Sequence, residues 1–184
     1  MSQNEIVQNP SDSNNGSNLL IVVVQGSFQT PLVYEKLFFG LSSRGYAVSH
    51  PELPSCTNPD DILFPTRTLT DDATAVQEVV RLQVEQHGKI VLLTMHSYGG
   101  LVGSEAIPED LSYSYRKAQG LPGGVIHLFY YAAFLLQEGQ SVLSAFGESP
   151  NNDVRPDGRL YLRNGAEKLY NDLPAPEAFY TPLF

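Results

Sequence analysis

The chain has 184 residues, 42% of them hydrophobic and 17% charged, which fits one domain with a buried core and excludes a disordered or membrane-spanning composition. Its net charge of -9 argues against a non-specific hold on nucleic acid or on an anionic membrane surface. One cysteine, Cys56, excludes an intrachain disulfide framework and fits a reducing compartment, as an ordinary free thiol in a loop.

Residues 1–18 are rich in Asn, Ser and Gln, carry no signal-peptide pattern, and read as a disordered lead-in. Residues 19–24 (Leu-Leu-Ile-Val-Val-Val) are an uninterrupted aliphatic run, as in a parallel strand covered on both faces. Gln25-Gly26-Ser27-Phe28 breaks that run. A helix is predicted from about Pro31, with Val33, Leu37, Phe38 and Leu41 on one face and Gly45 past its end. Residues 46–50 read as a second short strand, and the proline-rich residues 51–68 as loop.

Thr70 ahead of Asp71 and Asp72 marks an acid-rich helix start, and Ala73, Val76, Val80 and Val84 recur at helical spacing until Gly88. Asp71-Asp72, like Asp60-Asp61, reads as solvated helix-start or turn chemistry. Residues 90–94 are a third strand, a helix runs from about Tyr98 to before Pro108, and residues 125–133 are a fourth apolar run. The alternation predicts an α/β fold: a doubly wound, mainly parallel sheet over residues 19–139, with ligands outside the carboxyl ends of its strands. Residues 140–184, rich in Pro, Gly, Asn and Asp, read as a cap-like region with one hairpin at 154–164, turning at Pro156-Asp157-Gly158. No apolar run approaches the ~20 residues of a membrane helix. A soluble, cytoplasmic protein without membrane contact is expected.

The most informative stretch is residues 91–100, Val-Leu-Leu-Thr-Met-His-Ser-Tyr-Gly-Gly. An apolar strand runs into a serine held among small and turn-forming residues, as in a nucleophile elbow, where a strand turns sharply into a helix and presents the hydroxyl at the tip. The simpler alternative is that Ser97 only caps the next helix. Met95 occupies the position two before the serine, where the elbow signature has glycine. Gln25-Gly26-Ser27 lies at a neighbouring strand end; it can supply a backbone N–H to a developing oxyanion, or be a plain strand-to-helix turn. No His/Cys/Asp spacing suits a metal, no glycine-rich loop suits a phosphate, and no cofactor is expected.

These stretches, with Tyr131-Ala132-Ala133-Phe134 and a cap-like start ending near Asp172-Leu173-Pro174, resemble the α/β-hydrolase superfamily, within it the methylesterase and hydroxynitrile lyase-like group. The resemblance spans residues 19 to about 176, and Gln25 departs from the His-Gly usual in that group. It implies a serine hydrolase acting on a small apolar carboxylic ester, in secondary metabolism, with Ser97 as nucleophile, Ser27 and Tyr98 N–H groups as oxyanion hole, and Gly26, Phe28 and His96 in substrate binding. In such enzymes the catalytic acid and histidine come from later strands, so the sheet is expected to be incomplete and the triad unfinished. The alternatives are a truncated, catalytically incompetent homologue that binds a ligand, or a lyase or cyclase on the same fold. Of the histidines, His96 precedes the serine and is expected to point away from it, His127 reads as a packed strand residue and His87 as a helix-end cation. His50, at a strand end on the functional edge, is the one internal candidate for a base. An open edge beside Phe129 and Tyr131 predicts self-association.

Overall fold

A computed structural model describes residues 18–173. Four strands, β1 (Leu19–Val24), β2 (Ala47–Ser49), β3 (Ile90–Ser97) and β4 (Gly124–Ala133), pair in parallel in the order β2–β1–β3–β4. Side chains alternate across a strand, so Leu20, Val22 and Val24 enter one core while Ile21 and Val23 enter another on the opposite face.

The first face is covered by α2 (Leu69–Glu85) and α3 (Gly99–Ala106). Val76, Val80 and Val84 of α2 and Val102 of α3 meet Leu93 and Met95 of β3 there, with no exposed surface left on any of them. Burial on this scale contributes about 1.5–3 kcal/mol per large aliphatic side chain, which holds helix to sheet. The N-terminus of α2 is closed by Thr68 and not Thr70. Thr68 is extended, its hydroxyl accepts the Asp71 N–H at 3.4 Å, and the Asp71 carboxylate accepts the Thr68 N–H at 2.7 Å.

On the second face a 3₁₀ turn, Pro31–Tyr34, leads into α1 (Glu35–Ser42). Tyr34, Phe38 and Leu41 pack on Ile21, Val23 and Val48. Leu37, expected on this face, lies at its edge and is exposed, about 100° round the helix from Phe38. The second strand is shorter than expected and the third runs three residues further, through Ser97.

Between α3 and β4 lies α4 (Tyr113–Ala118), whose buried Arg116 donates through Nε and a terminal nitrogen to the Pro122 carbonyl. β4 pairs with β3 on one side and has no strand partner on the other among the described residues. Its Ile126 and Phe129 are half-exposed, and His127, expected to be packed, is exposed as well, because no helix among the described residues covers them.

Beyond the sheet come α5 (Val142–Phe146), the antiparallel pair β5 (Asn152–Val154) and β6 (Leu160–Leu162), and α6 (Gly165–Leu169). The hairpin turns through Gly158 at φ 90°, a conformation that glycine adopts without penalty. The lead-in at residues 1–17 and the end of the cap-like region at 174–184 lie outside the described residues. Among the described residues no helix is long and apolar enough to cross a membrane.

Candidate active site

The loop after β1, the last residue of β3 and the end of β4 come together, and each carries a non-glycine residue in the left-handed region. These are Phe28 (φ 61°), Ser97 (φ 51°) and Ala132 (φ 44°). Each such residue costs about 1–3 kcal/mol and persists only where its surroundings dictate it. At Ala132 the cause is visible in the ladder: His96 pairs with Tyr131 and Ser97 with Ala133, so Ala132 is the extra residue of a bulge.

Glycines make the rest of the approach possible. A Cβ on Gly26 would stand 2.9 Å from the Ser97 Cβ, and one on Gly99 would stand 2.5 Å from the Val24 carbonyl oxygen. A Cβ on Gly100 would come within 2.2 Å of the Phe134 carbonyl oxygen. β1, the turn at Ser97 and the end of β4 therefore touch through bare backbone. Met95, which stands where the elbow signature has glycine, is fully buried and finds room on the helix side. Its Sδ lies 2.2 Å from where a Cβ on Gly103 would sit, so Gly103 accommodates the bulk that Met95 adds.

Ser97 opens into a cavity of about 830 Å³ together with Ser27, Phe28, Ser55, Cys56 and Tyr98. Its outer walls come from Phe64, Phe134, α5, the β5–β6 hairpin and Leu169, with Arg67 and Arg159 among the lining residues. Both arginines are committed to carboxylates, Arg67 to Asp61 and Asp71 and Arg159 to Asp157. The arrangement places the Ser97 hydroxyl and two chain segments with backbone N–H groups at a mainly apolar hollow, the components that acyl transfer uses.

Two residues expected at the substrate are turned to other partners. His96 points to the second face, where it stacks on Tyr131 at 5.2 Å and sets Nδ1 3.0 Å from Gln29 Oε1 and 2.9 Å from the Tyr34 hydroxyl. The Gly26 N–H donates to the Tyr34 hydroxyl at 3.0 Å. Gly26 therefore matters for what it lacks, a side chain between Ser27 and Ser97. His50 sits against Tyr34 and Phe38 on the second face, with neither ring nitrogen hydrogen-bonded, and it does not line the cavity. Burial pushes its pKa down to about 4 and lowers that of His96 as well, so both rings are neutral near pH 7. His87 is exposed beyond the end of α2. No histidine lines the cavity among the described residues.

Asp72 corrects the reading of its acid pair. Asp71 is the exposed member, but Asp72 has no exposed surface. Its carboxylate accepts the Ser55 N–H at 2.8 Å, the Ser55 hydroxyl at 2.5 Å and the Tyr98 hydroxyl at 2.8 Å. Burial raises its pKa, and the Ser55 and Tyr98 bonds work against that shift. Tyr98 is in turn held protonated by burial and by the adjacent carboxylate. A signal was present in the sequence: Asp72 stands at four-residue spacing ahead of Val76, Val80 and Val84, on the buried row of the helix. Cys56 lies beside this group, buried at the cavity wall, where burial pushes its thiol up to about 11 and leaves it a poor nucleophile. Among the described residues no cluster of three or more His, Cys, Asp or Glu side chains is arranged to hold a metal ion.

Residues 21–184 match the family model described as the alpha/beta hydrolase family. No curated protein matches the sequence. Among solved structures, the chain is similar to one from work on LipS and LipT, described as two metagenome-derived lipolytic enzymes. Identity is 20% and the TM-score 0.47, over 76% of this chain and 51% of that one. It is also similar to an inhibited esterase B from Lactobacillus rhamnosis, at 19% identity and a TM-score of 0.39, over 66% of this chain and 39% of that one. The chain thus spans about half, or less, of the length of these structures.

Proposed function

The chain belongs to the alpha/beta hydrolase family, and from that premise we propose that it is a serine hydrolase whose cavity takes a small, largely apolar carboxylic ester, in the manner of the methylesterase and hydroxynitrile lyase-like group. In this reading the Ser97 hydroxyl adds to the ester carbonyl and the Ser27 and Tyr98 N–H groups donate to the oxyanion. The alcohol then leaves, and water releases the acid from the acyl-enzyme. Phe28 and the aromatic wall hold the apolar part of the substrate. The observation that carries the proposal is Ser97 itself: a serine in the left-handed region at the end of a buried strand, facing a cavity, with Gly26 and Gly99 pressed against its turn.

Ser97 needs a group to accept its proton, and no histidine among the described residues lines the cavity. That observation favours a second reading, in which this chain binds an ester-like ligand without turnover. A fluorophosphonate probe and a short-chain p-nitrophenyl ester separate the two. We expect stoichiometric phosphonylation of Ser97, located by mass spectrometry; ester turnover above that of Ser97→Ala supports the hydrolase, and turnover at that background supports the second reading. Turnover far above the Ser97→Ala background would show that a base reaches Ser97 and would remove the second reading. Labelling at any other residue, or none at all, would remove the nucleophile assignment.

A further inference from the structure

Asp72 is a carboxylate without exposed surface, it has no cationic partner among the described residues, and the proposed chemistry does not use it. The nearby cation, Arg67, pairs with Asp61 and Asp71 instead. Leaving a carboxylate buried without a cation costs several kcal/mol unless other groups compensate, and a neutral residue of similar size is often as stable or more so. What compensates here is three donors and the position of Asp72 in the first turn of α2, where the helix dipole favours negative charge. Such an expensive arrangement would serve little purpose if it only joined a helix to a loop.

The three donors come from the two elements that form the floor and one wall of the cavity. Ser55 belongs to the loop after β2 and precedes Cys56, and both residues line the cavity. Tyr98 follows Ser97 directly, lines the same cavity, and holds the N-terminal position of α3. A phenol fixed at its far end restricts rotation of its own backbone unit, and the Tyr98 N–H is the one adjacent to Ser97. We propose that Asp72 is a positioning residue for the site: from α2 it clasps Tyr98 and the Ser55–Cys56 wall together and so fixes the direction of the Tyr98 N–H relative to the Ser97 oxygen. The proposal rests on the serine-nucleophile reading given above. It adds that reactivity at Ser97 depends on a charge that never touches the substrate.

The test uses the full chain and its Asp72→Asn, Tyr98→Phe and doubly substituted forms. Asparagine keeps the volume of Asp72 and removes the charge, and phenylalanine removes only the hydroxyl that Asp72 holds. The readouts are the limiting rate and the half-saturation concentration for fluorophosphonate labelling of Ser97, the thermal midpoint, and the backbone amide resonances of Ser55 and Tyr98. We expect the limiting rate to fall about tenfold or more in each single variant, because small misplacements at a reacting centre have effects of that order. The double variant should be no slower than the slower single one, since both changes cut the same bond. Half-saturation should stay within about twofold, and the midpoint of Asp72→Asn should be unchanged or higher. A purely structural Asp72 gives the opposite split, a lower midpoint with a wild-type labelling rate, and that result overturns the proposal. Independent losses that multiply in the double variant also overturn it. If wild type is not labelled at Ser97, the nucleophile reading fails by itself, and the clasp is then judged by the amides. A shifted Tyr98 amide resonance in Asp72→Asn supports it, and an unshifted one refutes it.

Discussion

The two faces of the sheet are built on different principles. The face under α2 and α3 is aliphatic and closed, with Leu93, Met95, Val76, Val80 and Val102 all without exposed surface. The face under α1 is closed over β1 and β2 only, and towards the strand ends it turns aromatic and polar. There Tyr34, His50, His96 and Tyr131 lie against one another, and Phe129 further along is half-exposed. A strained turn needs a rigid support, and close-packed aliphatic cores supply one. Ser97 leaves the sheet into the helix of the closed face, so rigidity is concentrated where the strain is.

The contrast breaks most visibly under truncation. Leu93→Ala on the closed face should cost about 2–5 kcal/mol, and Phe129→Ala on the open face under about 1 kcal/mol, because only the first leaves a cavity that its neighbours cannot fill. Urea unfolding of the two variants checks this, and equal losses would mean that the open face is covered in solution.

Acid should separate the faces next. His50 has a folded pKa of about 4, below the ordinary value of 6.5. Between those values the unfolded chain binds more protons than the folded one, so stability rises with pH. The contribution is fully present above pH 6.5 and is lost as pH falls to 4. The shift corresponds to about 3 kcal/mol at most, and His96 moves in the same direction. Asp72, raised where the histidines are lowered, titrates with opposite sign. The quantity to measure is therefore the pH dependence of wild type minus that of His50→Phe, and no difference between them would contradict a neutral, buried His50.

A sharper cut lies within the closed face. Gly103→Ala should cost about 1–3 kcal/mol through overpacking against the Met95 sulfur, and Met95→Ala in the same chain should return part of it. Additive losses in the thermal midpoint would show that the two positions do not share that space. The smallest effect expected is a gain. Ser97→Gly should stabilise the fold by about 1 kcal/mol, since glycine accepts the left-handed region without the Cβ penalty that serine carries. A loss there would mean that the hydroxyl contributes more to stability than the backbone strain removes.

The sheet was legible because its signals are local. Residues 19–24 and 125–133 are runs of apolar side chains, and Ala73, Val76, Val80 and Val84 declare a helix face by spacing alone. The turn at Ser97 was legible for the same reason, since strand, serine and paired glycines are contiguous. What escaped was decided across the fold. Asp72, with Asp71, reads as solvated helix-start chemistry, yet its row on the helix faces Tyr98 and Ser55, which are distant in sequence. His96 adjoins Ser97 and, as its place in the strand implies, alternation along β3 turns it away to the other face; its partners there, Tyr34 and Gln29, are distant in sequence. The accommodation of Met95 by Gly103 depends on how α3 lies against β3, which no single stretch of residues encodes.

The glycine contacts also tie the turn at Ser97 to the pairing of the strands around it. Gly99 closes on the carbonyls of Val24 and Gln25, and Gly100 on that of Phe134, so the turn at Ser97 meets backbone from segments that lie well before and well after it. Those contacts exist only where β1 is paired with β3 and β3 with β4, pairings that close long loops. The left-handed posture of Ser97 is thus a property of the assembled sheet, and a chain in which β1 or β4 is detached lacks the backbone that imposes it.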